Sequence, residues 1–171
     1  MSKKAQNTTA RRSERFPSKE DMTSAGLNCV NFNLRRASRA VTQFYDRELE
    51  QAGLTSQRFS LLHTLGASDG LELSVLADLL VMDRTTLLRN LSPLEELGYV
   101  SDIPSDTKRA RKVALTDKGL EALRIAYPIW EKAQDAVISA MGEDDLKRLL
   151  KRLNSIVRKR NFKEFSKENP S

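Results

Sequence analysis

The chain has 171 residues, a formal net charge of +6 and 39% hydrophobic residues, which suits one domain with a buried core. Cys29 is the only cysteine and His63 the only histidine, which excludes an intramolecular disulfide and argues against a structural zinc site. No apolar run approaches the roughly 18 residues of a membrane span and no apolar signal follows Lys3-Lys4, so the expected compartment is the cytoplasm of a bacterium or similar cell, with no membrane partner.

Aromatic residues make up 6% and glycine is scarce, with 7 residues, so a mostly α fold is expected. Residues 1–27 are polar and lack periodicity, and Pro17 interrupts them. Within residues 1–20, Lys3, Lys4, Arg11, Arg12, Arg15 and Lys19 stand against Glu14 and Glu20, so +4 of the net +6 sits in a segment that reads as part of a disordered basic arm. Either this arm is only solvated or it touches phosphates. The folded domain is expected over residues 28–160, with a polar tail over 161–171.

From Val30 the pattern changes, because Val30, Leu34, Ala37, Val41 and Phe44 recur in steps of four and three and lay one apolar stripe along a helix that Gly53 ends. Residues 54–65 predict the next helix, with Thr55 as N-cap and Phe59, Leu62 and Leu65 facing in. A loop over 66–70 leads to a short helix over 73–80, capped by Ser74 and carrying Val75, Leu76, Leu79 and Leu80 inward. After the turn Val81-Met82-Asp83, Asp83 caps a helix that Gly98 closes. Partial period-two alternation over 99–103 and 111–115 predicts a hairpin. Thr116-Asp117 then opens a long helix to about Met141, and residues 143–160 form a last one striped by Leu146, Leu149, Leu150, Leu153, Ile156 and Val157. The first and last striped helices hold more apolar surface than a small head needs, so they either pack on their own domain or pair with a second copy.

Two helices joined by a tight turn and followed by a basic hairpin form a shape that grips duplex DNA. On the second of these helices Leu87, Leu91 and Leu94 share a narrow arc, while Thr85, Arg89, Ser92 and Glu96 lie opposite, with Thr86 at the edge. Small hydroxyl side chains permit close approach to base edges, and an arginine fork fits the O6 and N7 of guanine. Arg84 at the helix start suits a phosphate. Lys108 and Arg109 fall at the hairpin tip, with Arg111 and Lys112 beside them, where cationic side chains reach a minor groove or the backbone. The candidate DNA-binding set is therefore Ser74, Arg84, Thr85, Thr86, Arg89, Asn90, Lys108, Arg109 and Arg111. Any amphipathic helix has a solvated polar face, and it is the flanking elements that give this one its meaning.

The segments Leu54-Thr55, Gln57, Leu76-Ala77, Met82-Asp83-Arg84-Thr85-Thr86-Leu87, Leu94-Glu95, Gly98-Tyr99-Val100, Val113, Leu115-Thr116 and Gly119 together resemble the signature run of the MarR (multiple antibiotic resistance regulator) family. The resemblance covers about residues 28–160. It implies a homodimeric winged helix-turn-helix regulator whose first and last helices dimerise and whose reading helix enters the major groove. It also implies repression of nearby genes, relieved by a small-molecule ligand or an oxidant. On this resemblance Thr85, Thr86 and Arg89 match positions that face DNA, and Arg109 matches the wing arginine. Two positions depart from the family pattern. Thr107 stands where relatives often have an aspartate paired with the wing arginine, and Leu88 where they have a small polar residue.

Pro93 and Pro128 fall inside predicted helices and predict kinks there. Cys29 lies near the place of the sensing cysteine in peroxide-sensing members of the family. It sits two residues early, with Asn31 at the sensing position and Arg35 replacing one of two tyrosines, while Tyr45 matches the other. Cys29 is thus either a small buried or interfacial side chain or a redox site whose pKa Arg35 or Arg36 lowers. Tyr127 and Trp130 either belong to the core or line a ligand pocket, and His63 reads as a partly buried polar residue. No cofactor and no enzymatic activity are expected, since no phosphate loop or nucleophile–base set stands out. The acid pairs Glu95-Glu96 and Asp144-Asp145 read as solubilising charge. The expected partners are double-stranded DNA with a near-palindromic operator, a second copy of the chain and a small-molecule effector. A winged-helix adaptor that binds protein instead of DNA is the alternative.

Overall fold

A computed structural model of the chain describes residues 16–105 and 110–158, and these divide into two compact units, one ending at Gln43 and the other beginning at Phe44. Residues 1–15, residues 106–109, where the tip of the hairpin is expected, and residues 159–171, which include the expected C-terminal tail, lie outside the described residues.

In the first unit, α1 (Lys19–Asn28) is followed by α2 (Val30–Leu49), which runs on into the second unit. Helix α1 corrects the expectation that the basic arm extends to residue 27. Ser18 and Asp21 form a reciprocal capping box: the Asp21 N–H donates to Ser18 Oγ at 3.1 Å and the Ser18 N–H donates to Asp21 Oδ2 at 3.1 Å. Two otherwise unserved amides are satisfied by local polar side chains, so a helix starts there without any apolar stripe. At its other end the Asn33 amide donates to the carbonyls of Leu27, at 2.8 Å, and Cys29, at 3.0 Å, which fixes the junction with α2. Every residue over 27–43 is exposed, including the apolar Val30, Phe32, Leu34 and Val41.

The second unit begins with the end of α2, where Leu49 is fully buried, and a turn of 3₁₀ helix (Glu50–Ala52) stops at Gly53, whose φ of +66° is left-handed. Helix α3 (Ser56–Gly66) starts from two caps, since Thr55 Oγ1 accepts from the Arg58 N–H and Asp46 accepts from both the N–H and the hydroxyl of Ser56. Then come β1 (Leu71–Glu72), α4 (Leu73–Leu80), α5 (Arg84–Glu96), β2 (Val100–Ile103), β3 (Lys112–Leu115), α6 (Asp117–Met141) and α7 (Glu143–Arg158). The strands form an antiparallel sheet in the order β1-β3-β2, with Leu71 opposite Val113 and Val100 opposite Leu115. Leu61, Leu62, Leu65, Leu87, Leu91 and Leu94 have no exposed surface and form the centre of the core. Burial of each such side chain stabilises the fold by about 1.5–3 kcal/mol relative to leaving it exposed.

Strand β1 is an addition to the expected hairpin, because two residues carry no readable alternation. Its presence changes α4. The Leu73 N–H donates to the Arg111 carbonyl at 3.0 Å, so the helix leaves the sheet directly and Glu72, not Ser74, occupies the cap position. The buried face of α4 also differs from the expected one. Leu73 and Leu76 are buried and Leu80 half-buried, whereas Val75 and Leu79, expected to face in, are exposed. Pro93 and Pro128 both lie within helices that continue past them. Each lacks the N–H that would serve the carbonyl four residues earlier, that of Arg89 and of Arg124.

Thr116 caps α6, accepting from the Gly119 N–H at 3.0 Å while its own hydroxyl donates to the Gly98 carbonyl at 2.6 Å. On α7 only Leu146 of the apolar stripe is buried; Leu153 and Ile156 are half-buried, and Leu149, Leu150 and Val157 are exposed. No helix among the described residues is long and apolar enough to cross a membrane.

Candidate nucleic-acid interface

The turn between α4 and α5 is built on Val81, the one non-glycine among the described residues with positive φ, at +54°. Its left-handed backbone lets the N–H of Met82 reach back to the Ala77 carbonyl at 2.9 Å, closing α4. Two residues on, Asp83 starts α5: Oδ1 accepts from the Thr86 N–H at 2.9 Å and Oδ2 from the Thr86 hydroxyl at 2.6 Å. These bonds, the Thr86 hydroxyl first, hold the Asp83 carboxyl below its usual value of 3.8. The start of α5 is therefore held in position, with its cap favouring the charged carboxylate.

Along α5 the expected division holds. Leu87, Leu91 and Leu94 are fully buried, Arg84, Thr85, Arg89, Ser92 and Glu96 are exposed, and Thr86 lies half-buried at the boundary. Thr86 spends its hydroxyl hydrogen on Asp83, so toward a ligand it offers only lone pairs and its methyl group. Asn90 is half-buried and gives its amide to the Thr86 carbonyl at 2.8 Å, which ties it back along its own helix. Ser74 is exposed in the first turn of α4. Lys108 and Arg109 lie outside the described residues.

Arg111, one of the expected DNA-binding residues, is ion-paired within the protein. Its Nε donates to Asp102 Oδ1 at 2.8 Å and its Nη2 to Glu95 Oε1 at 2.5 Å, with the side chain one-third exposed. Burial acts to lower its pKa, but the bonds to Asp102 and Glu95 and their charges outweigh that and hold it above its ordinary value. Glu95, read from sequence as a solubilising charge, is half-buried in this pair, and Asp102 was not singled out at all. Opposite charges on the two arms of one hairpin are the signal that could have found Asp102. By contrast Asp145 is exposed, as expected, and pairs locally with Arg148.

The remaining candidates lie away from α5. Cys29 is exposed at the α1–α2 junction, and its Sγ accepts from the Phe32 N–H at 3.4 Å. In the second unit Trp130 stacks on Phe59 at 5.8 Å between centroids, and Tyr127 packs on Trp130 at 5.3 Å. His63 lies against Phe59 and Tyr127, yet it is exposed and not partly buried as expected, because these rings cover only part of its imidazole. Trp130 also borders an open cleft of about 480 Å³ shared with Lys132, Gln134 and Asp135. Tyr45, in the same unit, donates its hydroxyl to Gln134 at 2.6 Å, and burial raises its pKa. Among the described residues no group of His, Cys, Asp or Glu is arranged to hold a metal ion.

No protein-family model matches the chain. A protein described as a transcriptional regulatory protein for the hcr operon of Thauera aromatica is 31% identical over 129 residues, covering 72% of this chain and 78% of that protein. The M. tuberculosis transcriptional regulator MosR, solved in complex with DNA, superposes with a TM-score of 0.71 at 33% identity, covering 78% of this chain and 97% of its own. The transcriptional repressor CouR, solved bound to p-coumaroyl-CoA, gives a TM-score of 0.70 at 26% identity, covering 78% and 95%. MarR from E. coli, solved with operator DNA, shares the fold, with a TM-score of 0.69 at 17% identity over 77% and 96%. Identities of 31% and 33% over most of both chains go beyond a shared fold, and with the capped helix-turn-helix and sheet described above they mean that the chain belongs to the MarR family of DNA-binding, winged helix-turn-helix transcriptional regulators.

Proposed function

We propose that the protein is a homodimeric cytoplasmic repressor that binds a near-palindromic operator through α5 and the wing, and lets go of it when a small molecule binds. The observation that carries the reading is the division of α5: three leucines without exposed surface anchor it, and its opposite face presents Thr85, Arg89 and Ser92 to solvent beside the hairpin. A rigidly held helix with short hydroxyl side chains around one arginine suits insertion into a major groove, where Arg89 takes a guanine edge and Arg84 a phosphate. Ser74 suits a backbone phosphate, and Lys108 and Arg109 the adjacent minor groove or backbone.

A second copy is the fitting partner for the exposed apolar residues of α2 and α7, since a lone chain would leave Val30, Phe32, Val41, Leu149, Leu150 and Val157 in water. Two copies place two reading helices about one helical turn apart, roughly 10 bp, which calls for an operator with two-fold character. The aromatic group around Trp130, and the cleft beside it, suit a ring-bearing effector. CouR, which is described as a repressor and bound p-coumaroyl-CoA in its structure, supports an effector of this kind.

The test is fluorescence anisotropy of wild type and Arg89→Ala on duplexes selected by the wild type from a random pool, across a salt series with competitor DNA. Tight, salt-dependent, competitor-resistant binding is expected for wild type. Arg89→Ala should lose about 10- to 100-fold of it, the worth of one bidentate base contact of about 1–3 kcal/mol. Equal affinity of both proteins for every duplex would remove α5 as the reading element.

A further inference from the structure

Resting on that reading of the DNA interface, we propose that Arg111 is a positioning residue for DNA recognition: it sets the wing against the reading helix from within the protein, without touching DNA. Its backbone and side chain together join four elements. The Arg111 carbonyl accepts the N–H of Leu73, the first residue of α4. Its guanidinium donates through Nη2 to Glu95 in the last turn of α5 and through Nε to Asp102 on β2. Arg111 itself is the residue that leads the wing loop into β3. Both helices of the helix-turn-helix and both strands of the wing therefore meet at one residue.

The chemistry of this junction separates it from an ordinary surface ion pair. An isolated exposed pair is worth little because two flexible chains must be ordered for one contact. Here a planar guanidinium is shared by two carboxylates on separate elements, and Arg111 and Glu95 are only 33% and 30% exposed. The fixed angle between Nε and Nη2 turns the two bonds into an orientation constraint between α5 and β2, which an ammonium could not reproduce. Lys108 and Arg109 lie three and two residues before Arg111 in the sequence, so holding Arg111 fixes where the segment that carries them joins β3. Without Arg111, Glu95 and Asp102 would also stand as two uncompensated negative charges beside the face offered to a polyanion.

Direct phosphate binding by Arg111 and positioning by Arg111 make opposite predictions for its partner. If Arg111 bound DNA, Glu95→Gln would remove a negative charge and free the guanidinium, and every duplex would bind more tightly. If Arg111 positions the wing, Glu95→Gln loosens the wing and discrimination falls although net charge becomes more favourable. The experiment measures affinity for a duplex selected by the wild type and for random duplex, with wild type, Glu95→Gln, Arg111→Met and the double variant. Thermal melts followed by circular dichroism check that each variant folds. The ratio of selected to random affinity should fall about tenfold in each single variant, and the double variant should be no worse than the weaker single, because both break one junction. Should Arg111→Met fail to fold, Asp102→Asn, which keeps the shape and removes only one ion pair, replaces it and should lower the same ratio. Tighter binding by Glu95→Gln with its ratio intact, together with an Arg111→Met loss that is equal on all sequences, would overturn the proposal and make Arg111 a phosphate contact. Unchanged ratios in all variants would overturn it as well. Failure of the underlying reading looks different: the wild type then enriches no duplex from the pool, before any variant is made.

Discussion

Val81 holds a conformation that its side chain disfavours. A β-branched residue at φ +54° crowds Cβ against the backbone, and the left-handed region costs a non-glycine residue about 1–2 kcal/mol. Because Val81 is half exposed, only about half of the burial of a valine is lost on its removal. Val81→Gly should relieve the crowding, and after the about 0.5–1 kcal/mol of extra chain entropy that glycine loses on folding, a modest rise in Tm is expected by thermal denaturation. A lower Tm would mean that the remaining contacts of Val81 outweigh its strain. Gly119 presents the reverse case. A Cβ at this position would collide with the Tyr99 carbonyl, and because the obstacle is backbone no flexible group can yield. Gly119→Ala should destabilise the fold by about 1–3 kcal/mol or more, read as a lower midpoint in urea, because α6 must move off the start of the wing. Sequence showed a glycine at this position and its match to a family pattern. The reason for it, a helix seated on a carbonyl, needed the packed structure.

At the level of elements, α5 depends on its cap. Asp83→Ala should lower the Tm, since the Thr86 N–H and hydroxyl lose their acceptor. The pH dependence follows from the depressed pKa. The unfolded chain protonates Asp83 near 3.8 and the folded chain only below that, so the stabilising contribution is fully present above about this value. It is lost as pH falls through the folded value. The difference in Tm between wild type and Asp83→Ala should thus stay constant from neutral pH down to about 4 and shrink below it; a difference that persisted under acid would assign the cap to the neutral carboxyl. This cap was legible in sequence because capping is a contact over three residues. The phase of α4 was not legible. Both Val75 and Leu79 look as apolar as Leu73 and Leu76, and only the packing of α4 into the core, together with the bond from Leu73 to Arg111, 38 positions along the chain, selects the latter pair for burial.

For the whole molecule, the expected consequence of the exposed apolar surface on α2 and α7 is a dimer. Size-exclusion chromatography with light scattering should return twice the mass of the chain, and a Leu149→Glu, Leu150→Glu double variant should shift it toward the single mass and weaken operator binding. A wild type that stays at one chain mass at micromolar concentration would sink the homodimer reading. Charge gives a second whole-chain expectation. The net charge of +6 is concentrated near the N-terminus, so truncation of residues 1–15 should lower affinity for all duplexes by a similar factor and leave their ranking unchanged.

The sequence by itself determined the order of the helices from α2 onward, the caps of α3, α5 and α6, and the buried and exposed faces of α5, because these depend on spacing of 3.6 residues and on side chains reaching three positions away. It also carried the family, through short motifs at fixed spacing. The tertiary structure alone decided the rest. Strand β1 exists because β3 offers it an edge. The capping box of α1 was written in Ser18 and Asp21 but was masked by the polar composition around it. Arg111 looked like one more cation of a basic wing until folding brought Glu95 and Asp102 to it, since an ion pair between separate elements is a matter of distance in space, which spacing along the chain does not encode.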